Sequence, residues 1–141
     1  MSFDFAALKQ GFFDSAKVKA GVDAGLRRVL SKLGSFVRRR ARSSIRKRKR
    51  AAAAGSPPSS HAGQLKLIYF AWDAAQKSVV VGPIPQQGEA VVPALMEKGG
   101  QFTLVEKTKT RILHYRPHPF MKPALDAELP GFAAQLKGLM N

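Results

Sequence analysis

Cysteine is absent from all 141 residues of the chain. Disulfide bonds, cysteine-ligated zinc or iron–sulfur sites and thiol nucleophiles all require this side chain, so the sequence excludes each of them. The absence also fits a reducing compartment, where disulfides are rare. Folding must therefore depend on packing alone.

Long hydrophobic runs are missing as well. The longest uninterrupted apolar stretch covers residues 67–72, whereas a membrane-spanning helix needs about 20 such residues. Residues 1–10 alternate Phe3 and Phe5 around Asp4, with neither a basic start nor a long apolar core, so we do not expect a secretory signal. The sequence predicts a protein that contacts no membrane and is made and kept inside a cell.

Acidic residues are scarce, and the scarcity is local. The chain carries 24 Lys and Arg against 9 Asp and Glu, a formal net charge of +15. Residues 1–70 hold +13 of this charge, and no acid occurs between Asp23 and Asp73. Within residues 38–50, nine of thirteen side chains are basic. Such a run repels itself unless a polyanion or an acidic protein surface neutralises it.

Hydrophobic residues make up 45% of the chain, enough for one core and a single domain over residues 1–141. Apolar side chains recur every three to four positions between Val18 and Ile45, which predicts one long amphipathic helix with Asp14 or Ser15 as its N-cap. The helix can continue through the alanines at 51–54. Glycine and proline then stop it, which predicts a basic helix end and a flexible loop at about 46–64.

The rest of the chain predicts two β-hairpins and short helices. The predicted strand pairs are 65–72 with 77–81, and 102–106 with 110–115. A connecting helix is expected over 92–98, and one broken or two short helices over 121–139. This order predicts an α+β fold in which an antiparallel sheet of about four strands carries helices on one face.

No catalytic or metal site emerges from these patterns. His114 and His118 have the i, i+4 spacing of a helical zinc site, but Pro117 and Pro119 preclude a regular helix and no third ligand is evident. The acids are scattered over different predicted elements, and we expect them to be solvated surface carboxylates: Glu89, Glu97, Glu106, Asp126 and Glu128. We therefore predict no enzyme, no metal and no cofactor.

The basic run has two interpretations that the residues leave open. Arginine and lysine bind DNA phosphates strongly and without sequence preference, and they equally suit contact with an acidic protein surface. The residues concerned are Arg38, Arg39, Arg40, Arg42, Arg46, Lys47, Arg48, Lys49 and Arg50.

Five short motifs follow one another along the chain. They are ARSSI at 41–45, GSPPSSHAGQLK at 55–66, VVVGP at 79–83, LMEKGG at 95–100 and RPHPFMKPAL at 116–125. In this order they resemble the tail-completion, or head-tail joining, proteins of long-tailed bacteriophages, over about residues 20–128. Members of that family are small α+β virion proteins without enzymatic activity. They assemble as rings, typically hexameric, in the neck between the portal, adaptor and stopper stack and the tail tube.

The resemblance implies a structural neck protein that is assembled in the bacterial host cytoplasm and resides in the virion. Its expected partners are copies of itself, head-side adaptor or stopper proteins, a tail terminator or tail tube protein, and double-stranded DNA in the lumen. We assign Pro57, Pro58 and His61 to an inter-subunit loop. Phe120, Met121 and Leu125 are assigned to packing between sheet and helix. The alternative is a free-standing, sequence-nonspecific basic nucleic-acid-binding protein.

Overall fold

The computed structural model describes residues 15–59, 64–84 and 91–139. The elements run in the order α1 (Ser15–Ser44), a 3₁₀ turn (Gln64–Lys66), β1 (Ile68–Asp73), β2 (Ser78–Pro83), α2 (Val92–Lys98), β3 (Gly100–Val105), β4 (Thr110–Tyr115) and α3 (Met121–Gly138). The predicted α+β class and the order of its elements are confirmed. Asp14, one of the two predicted N-caps, lies outside the described residues, and Ser15 is the first described residue of α1.

Helix α1 is the element around which the core forms. Leu33, Val37 and Ala41 recur at i, i+4 spacing and are all buried, as is Ile45 immediately beyond the helix. This stripe contacts α3 on one side and the β1–β2 hairpin on the other. Burying it in this way removes apolar surface from water, the main favourable term in folding.

Aromatic and aliphatic side chains from distant segments complete the core. Ile68 of β1 and Phe120, just before α3, join Ile45 as its largest fully buried side chains. Phe36 of α1 meets Phe132 of α3 edge to face, with ring centroids 5.7 Å apart. One hydrophobic cluster thus joins α1, β1 and α3.

Gly34 lets α1 approach β2 closely. A Cβ at this position would lie 2.5 Å from Val79 Cγ1 and 3.2 Å from Phe70 Cδ2. Real Cβ atoms do not approach a neighbour this closely, so glycine is needed here for its missing side chain despite its helix penalty of up to about 1 kcal/mol.

Helix α1 ends at Ser44 and does not continue through the alanines at 51–54. The Oγ atoms of Ser43 and Ser44 donate to the carbonyls of Arg40 and Ala41, at 2.9 and 2.7 Å. Ile45 then enters the core. The five consecutive cations that follow lie in non-helical backbone, with a bend at Lys49 and Arg50.

All four predicted strands form, but the described residues contain two separate two-stranded sheets and not one sheet of four. Strands β1 and β2 pair antiparallel from Ile68 opposite Pro83 to Asp73 opposite Ser78. Among residues 15–59, 64–84 and 91–139, strands β3 and β4 pair with each other and with no further strand. The β1–β2 hairpin lies on α1, whereas β3 contacts α2, so the two hairpins have different supports.

The C-terminal segment forms one continuous helix, α3, although Pro130 lies inside it. Proline removes one backbone hydrogen bond and crowds the preceding turn, which usually kinks or breaks a helix. Here Ala124 and Phe132, on either side of Pro130, are both buried, so core packing spans the weak point. Among the described residues, no helix is long and apolar enough to cross a bilayer.

Candidate functional site

The solvent face of α1 carries a straight basic stripe. Arg28, Lys32, Ser35, Arg39 and Arg42 follow one another at alternating spacings of four and three residues, and all five are exposed. This spacing keeps them on one helix face, opposite the buried stripe. At 1.5 Å per residue the stripe is roughly 21 Å long. The sole acid in α1 is Asp23, which pairs with Lys77 at 2.7 Å.

Two of the predicted basic residues are oriented by aromatic rings and backbone of the fold. Arg38 donates from Nε to the carbonyl of Ile68 at 2.7 Å, and its guanidinium lies over the ring of Tyr69, 5.5 Å from the centroid. The guanidinium of Arg39 lies 4.5 Å from the ring centroid of Phe36.

Arg40 differs from its neighbours because it faces α3. It forms an ion pair with Glu128, whose side chain is 14% exposed. Within the part of the chain that the structure describes, it is the only one of the nine predicted basic residues with a carboxylate partner within 4 Å. Glu128 is therefore not the solvated surface carboxylate that the sequence predicts.

The structure groups four cations around one concave surface beside α1. This basic cleft has a volume of about 430 Å³ and is lined by Ser35, Arg38, Arg39, Arg42, Ser43 and Lys66. Five of the residues come from α1, and Lys66 comes from the 3₁₀ turn. Among the described residues, those that line the cleft are all arginine, lysine or serine. The sequence could not associate Lys66 with the others, because more than twenty residues separate it from α1.

The second half of the predicted basic run is a separate feature. Arg46 forms an isolated parallel bridge with Ser59, and Ser59 Oγ lies 3.5 Å from the carbonyl oxygen of Arg50. Arg48 is half-buried, and the other cations of residues 46–50 are exposed. Residues 46–50 thus form a short basic segment next to the C-terminal end of α1. The flexibility expected of residues 46–64 stays a prediction.

Three of the sequence motifs meet at a hydrogen-bonded site that we call the motif junction. Gly55 N donates to the carbonyl of Pro117 at 2.9 Å. His118 Nδ1 lies 2.9 Å from the carbonyl oxygen of Ser56, and His118 N donates to Met96 O at 2.6 Å. Segments up to 62 residues apart in the chain thus become neighbours.

Glu97 caps α3 from a distance. Its Oε2 accepts from the backbone N–H groups of Phe120 and Met121 at 2.9 and 3.1 Å, and Oε1 accepts from that of Lys122 at 2.8 Å. The first N–H groups of a helix have no partner within the helix and favour a negative charge. The prediction of a solvated carboxylate at Glu97 is therefore wrong. The available signal was that Phe120, at the N-cap of α3, has no side chain able to cap.

The paired glycines of the LMEKGG motif are explained by the same junction. Gly99 and Gly100 have φ values of 74° and 138°, a region that favours glycine. A Cβ at Gly99 would also lie 3.0 Å from the carbonyl oxygen of Tyr115 and 3.1 Å from Pro117 N. Gly99 thus lets the chain enter β3 close to the Pro117 segment, and a Cβ at Gly100 would lie 3.1 Å from Leu95 Cδ2.

The remaining predicted residues have varied surroundings. Phe120 is buried in the core and Met121 packs against it. Leu125 is 39% exposed and lines a small apolar cleft between α1 and β2. In the predicted inter-subunit loop, Pro57 is half-buried and Pro58 is buried, whereas His61 lies outside the described residues.

The β3–β4 hairpin stands apart from the core. Most of its side chains are exposed, including the large apolar residues Val105 and Ile112 at 75% and 59%. His114 is exposed on β4, and no three His, Asp or Glu side chains gather to hold a metal ion within residues 15–59, 64–84 and 91–139. Neither a family model nor a curated protein nor a solved structure matches the chain. Its function must be inferred from its own residues.

Proposed function

We propose that this chain is a structural virion protein of a long-tailed phage, forming a ring in the neck that joins the DNA-filled head to the tail tube. The ring has about six copies, in keeping with the family that the motifs resemble. It meets adaptor or stopper proteins on its head side and a tail terminator or tail tube protein on the other, and DNA passes through its lumen. No catalytic step is required of it.

The motif junction carries this proposal. The resemblance depends on short motifs in a given order, and each motif alone is weak. Three of them, GSPPSSHAGQLK, LMEKGG and RPHPFMKPAL, meet through the hydrogen bonds of Ser56, Met96, Glu97 and His118. Motifs that build one contact set behave as a structural unit, which supports reading them together and not as separate coincidences.

The β3–β4 hairpin supports assembly into an oligomer. A lone two-stranded hairpin is marginally stable in water unless it packs against another element. This one exposes Val105 and Ile112, and no strand among the described residues pairs with the outer edge of β3 or β4. A neighbouring protomer in a ring covers such a hairpin, and cyclic symmetry repeats that contact around the axis.

The test is the mass of the purified full chain at several concentrations, with and without duplex DNA, by native mass spectrometry and light scattering. A closed ring of about six copies that forms without DNA supports the proposal. Electron micrographs should then show rings with a central channel. A chain that stays monomeric or dimeric under all these conditions contradicts self-assembly into a ring.

A free-standing, sequence-nonspecific nucleic-acid-binding protein is the second candidate. The observation that favours it is the basic stripe of α1, which has no acid among its members. Such a protein binds duplex DNA as a monomer or dimer with a steep dependence on salt. A mass that rises only when DNA is added therefore favours this candidate over the ring.

A further inference from the structure

We infer that the basic cleft binds the phosphate groups of a nucleic-acid backbone, with Arg39, Arg42 and Lys66 as its principal contacts. This inference deepens the proposed function, because it names which cations of the ring contact DNA. It rests on the proposed function only for the statement that this DNA is the duplex in the lumen of the ring. It also adds Lys66 and Ser35 to the binding residues and removes Arg40, which is paired with Glu128.

The charge of the basic cleft favours a bound anion. Arg38, Arg39, Arg42 and Lys66 line one concave surface, and no acid in the described part of the chain lines it with them. Like charges three and four residues apart on a helix destabilise it, and none of these four has a carboxylate within 4 Å among the described residues. A bound anion turns this repulsion into attraction.

Neighbouring groups restrain Arg38 and Arg39 in positions that suit bidentate binding. Because the Nε of Arg38 is used by the Ile68 carbonyl, its terminal N–H groups remain for a ligand. The guanidinium of Arg39 lies over the Phe36 ring, 4.5 Å from its centroid, and this contact restrains the side chain. A planar guanidinium suits the paired oxygens of a phosphate, and preorganisation lowers the entropy cost of binding.

Phosphate groups fit this surface better than an acidic protein does. Protein interfaces are built around aromatic or aliphatic anchors, whereas the described residues that line the cleft are all arginine, lysine or serine. The basic stripe leads from the cleft along α1 to Lys32 and Arg28, on the same exposed face. A straight track roughly 21 Å long suits a continuous polyanion, since duplex DNA carries one charge per about 1.7 Å of its axis.

The experiment compares two triple variants of the full chain by fluorescence anisotropy with a labelled duplex of about 20 base pairs. The cleft variant is R39Q/R42Q/K66Q. The control is K19Q/K98Q/K137Q, whose three lysines are exposed, lie outside the cleft and have no carboxylate within 4 Å among the described residues. Both variants remove three positive charges. Thermal unfolding checks that both retain the fold.

We expect the cleft variant to lose affinity by roughly fivefold to tenfold per removed contact at about 0.1 M salt, and its plot of log K against log salt to flatten by about 0.9 per contact. The control should lose far less affinity and keep most of the slope. Equal losses in the two variants would mean that only net charge matters, which overturns the inference. Tighter binding of a labelled acidic peptide than of the duplex at the same salt also overturns it.

The native mass of the same variants separates this inference from the proposed function. Because the cleft is assigned to DNA and not to neighbouring protomers, the cleft variant should form the same oligomer as the unaltered chain. If the unaltered chain never forms a ring, the neck proposal is wrong, but a loss of DNA affinity specific to the cleft variant still supports the cleft inference. If the chain forms a ring and R39Q/R42Q/K66Q does not change its DNA affinity, only the cleft inference is wrong.

Discussion

Replacing Glu97 with alanine tests the long-range cap of α3. The substitution leaves the N–H groups of Phe120, Met121 and Lys122 without their carboxylate acceptor. The first two hydrogen bonds are partly buried, so water replaces the carboxylate poorly there, whereas the third is exposed. A helix cap contributes about 0.5–2 kcal/mol, and a hydrogen bond to a charged group about 1.5–3 kcal/mol.

From these ranges we expect Glu97→Ala to lower the free energy of unfolding by about 2–3 kcal/mol. For a domain of this size, that corresponds to a fall in Tm of roughly 6–12 °C. Glu97→Gln keeps one oxygen acceptor but loses the negative charge beside the helix N-terminus, and should cost about 1 kcal/mol less than alanine.

The assay is denaturant and thermal unfolding followed by far-UV circular dichroism. Glu106→Ala is the matched control, because Glu106 is an exposed glutamate in the turn between β3 and β4. Among the described residues, its hydrogen bonds are made by its backbone alone. We expect this control to change the free energy of unfolding by less than about 0.5 kcal/mol. If Glu97→Ala is no more destabilising than Glu106→Ala, the cap of α3 does not contribute as argued.

Three further predictions concern α1 and its surroundings. Gly34→Ala should destabilise the fold by about 1–3 kcal/mol in denaturant unfolding, because the new Cβ would lie 2.5 Å from Val79 Cγ1. The control Gly21→Ala, whose Cβ would have nothing within 4 Å, should stabilise the fold by up to about 1 kcal/mol. If both substitutions change the free energy of unfolding in the same direction, α1 does not approach β2 as closely as argued. Glu128→Gln should cost less than about 1 kcal/mol, since the Arg40 side chain is 52% exposed, and a loss of several kcal/mol would show the pair to be buried. Raising NaCl from about 10 to 150 mM should increase Tm, because the Debye length falls from roughly 30 to 8 Å and the salt then screens the repulsion among the cations of the basic stripe. A fall in Tm would show that these cations do not destabilise the fold by repelling one another.

Local patterns predicted most of the secondary structure. The period of Leu33, Val37 and Ala41 indicates both α1 and its buried face, and α2 has the predicted bounds. Both hairpins form, although β1 begins at Ile68 and not at residue 65, and its turn lies at 74–77, one residue later than predicted. These features depend on side chains within a few residues of one another, and such information is present in any short window of sequence.

The end of α1 shows where local patterns fail. Alanine has the highest helix propensity, yet residues 51–54 lie outside any helix. Ile45 is 1% exposed in the core, and Gly55 donates to the carbonyl of Pro117. These contacts pull the chain away from the helix axis. Tertiary packing therefore overrides the propensity of the alanines.

The amino-acid sequence by itself determined the helical and extended segments, the basic face of α1 and the exclusion of cysteine chemistry, because each follows from composition or short-range periodicity. Only the tertiary structure decided that Lys66 joins Arg39 and Arg42, that Arg40 pairs with Glu128, and that Glu97 caps α3. These partners lie more than twenty residues apart, so their pairing depends on how the hairpins and α3 pack against the helices. A carboxylate or ammonium group acquires its role from the charges and hydrogen-bonding groups that folding brings within a few ångströms of it.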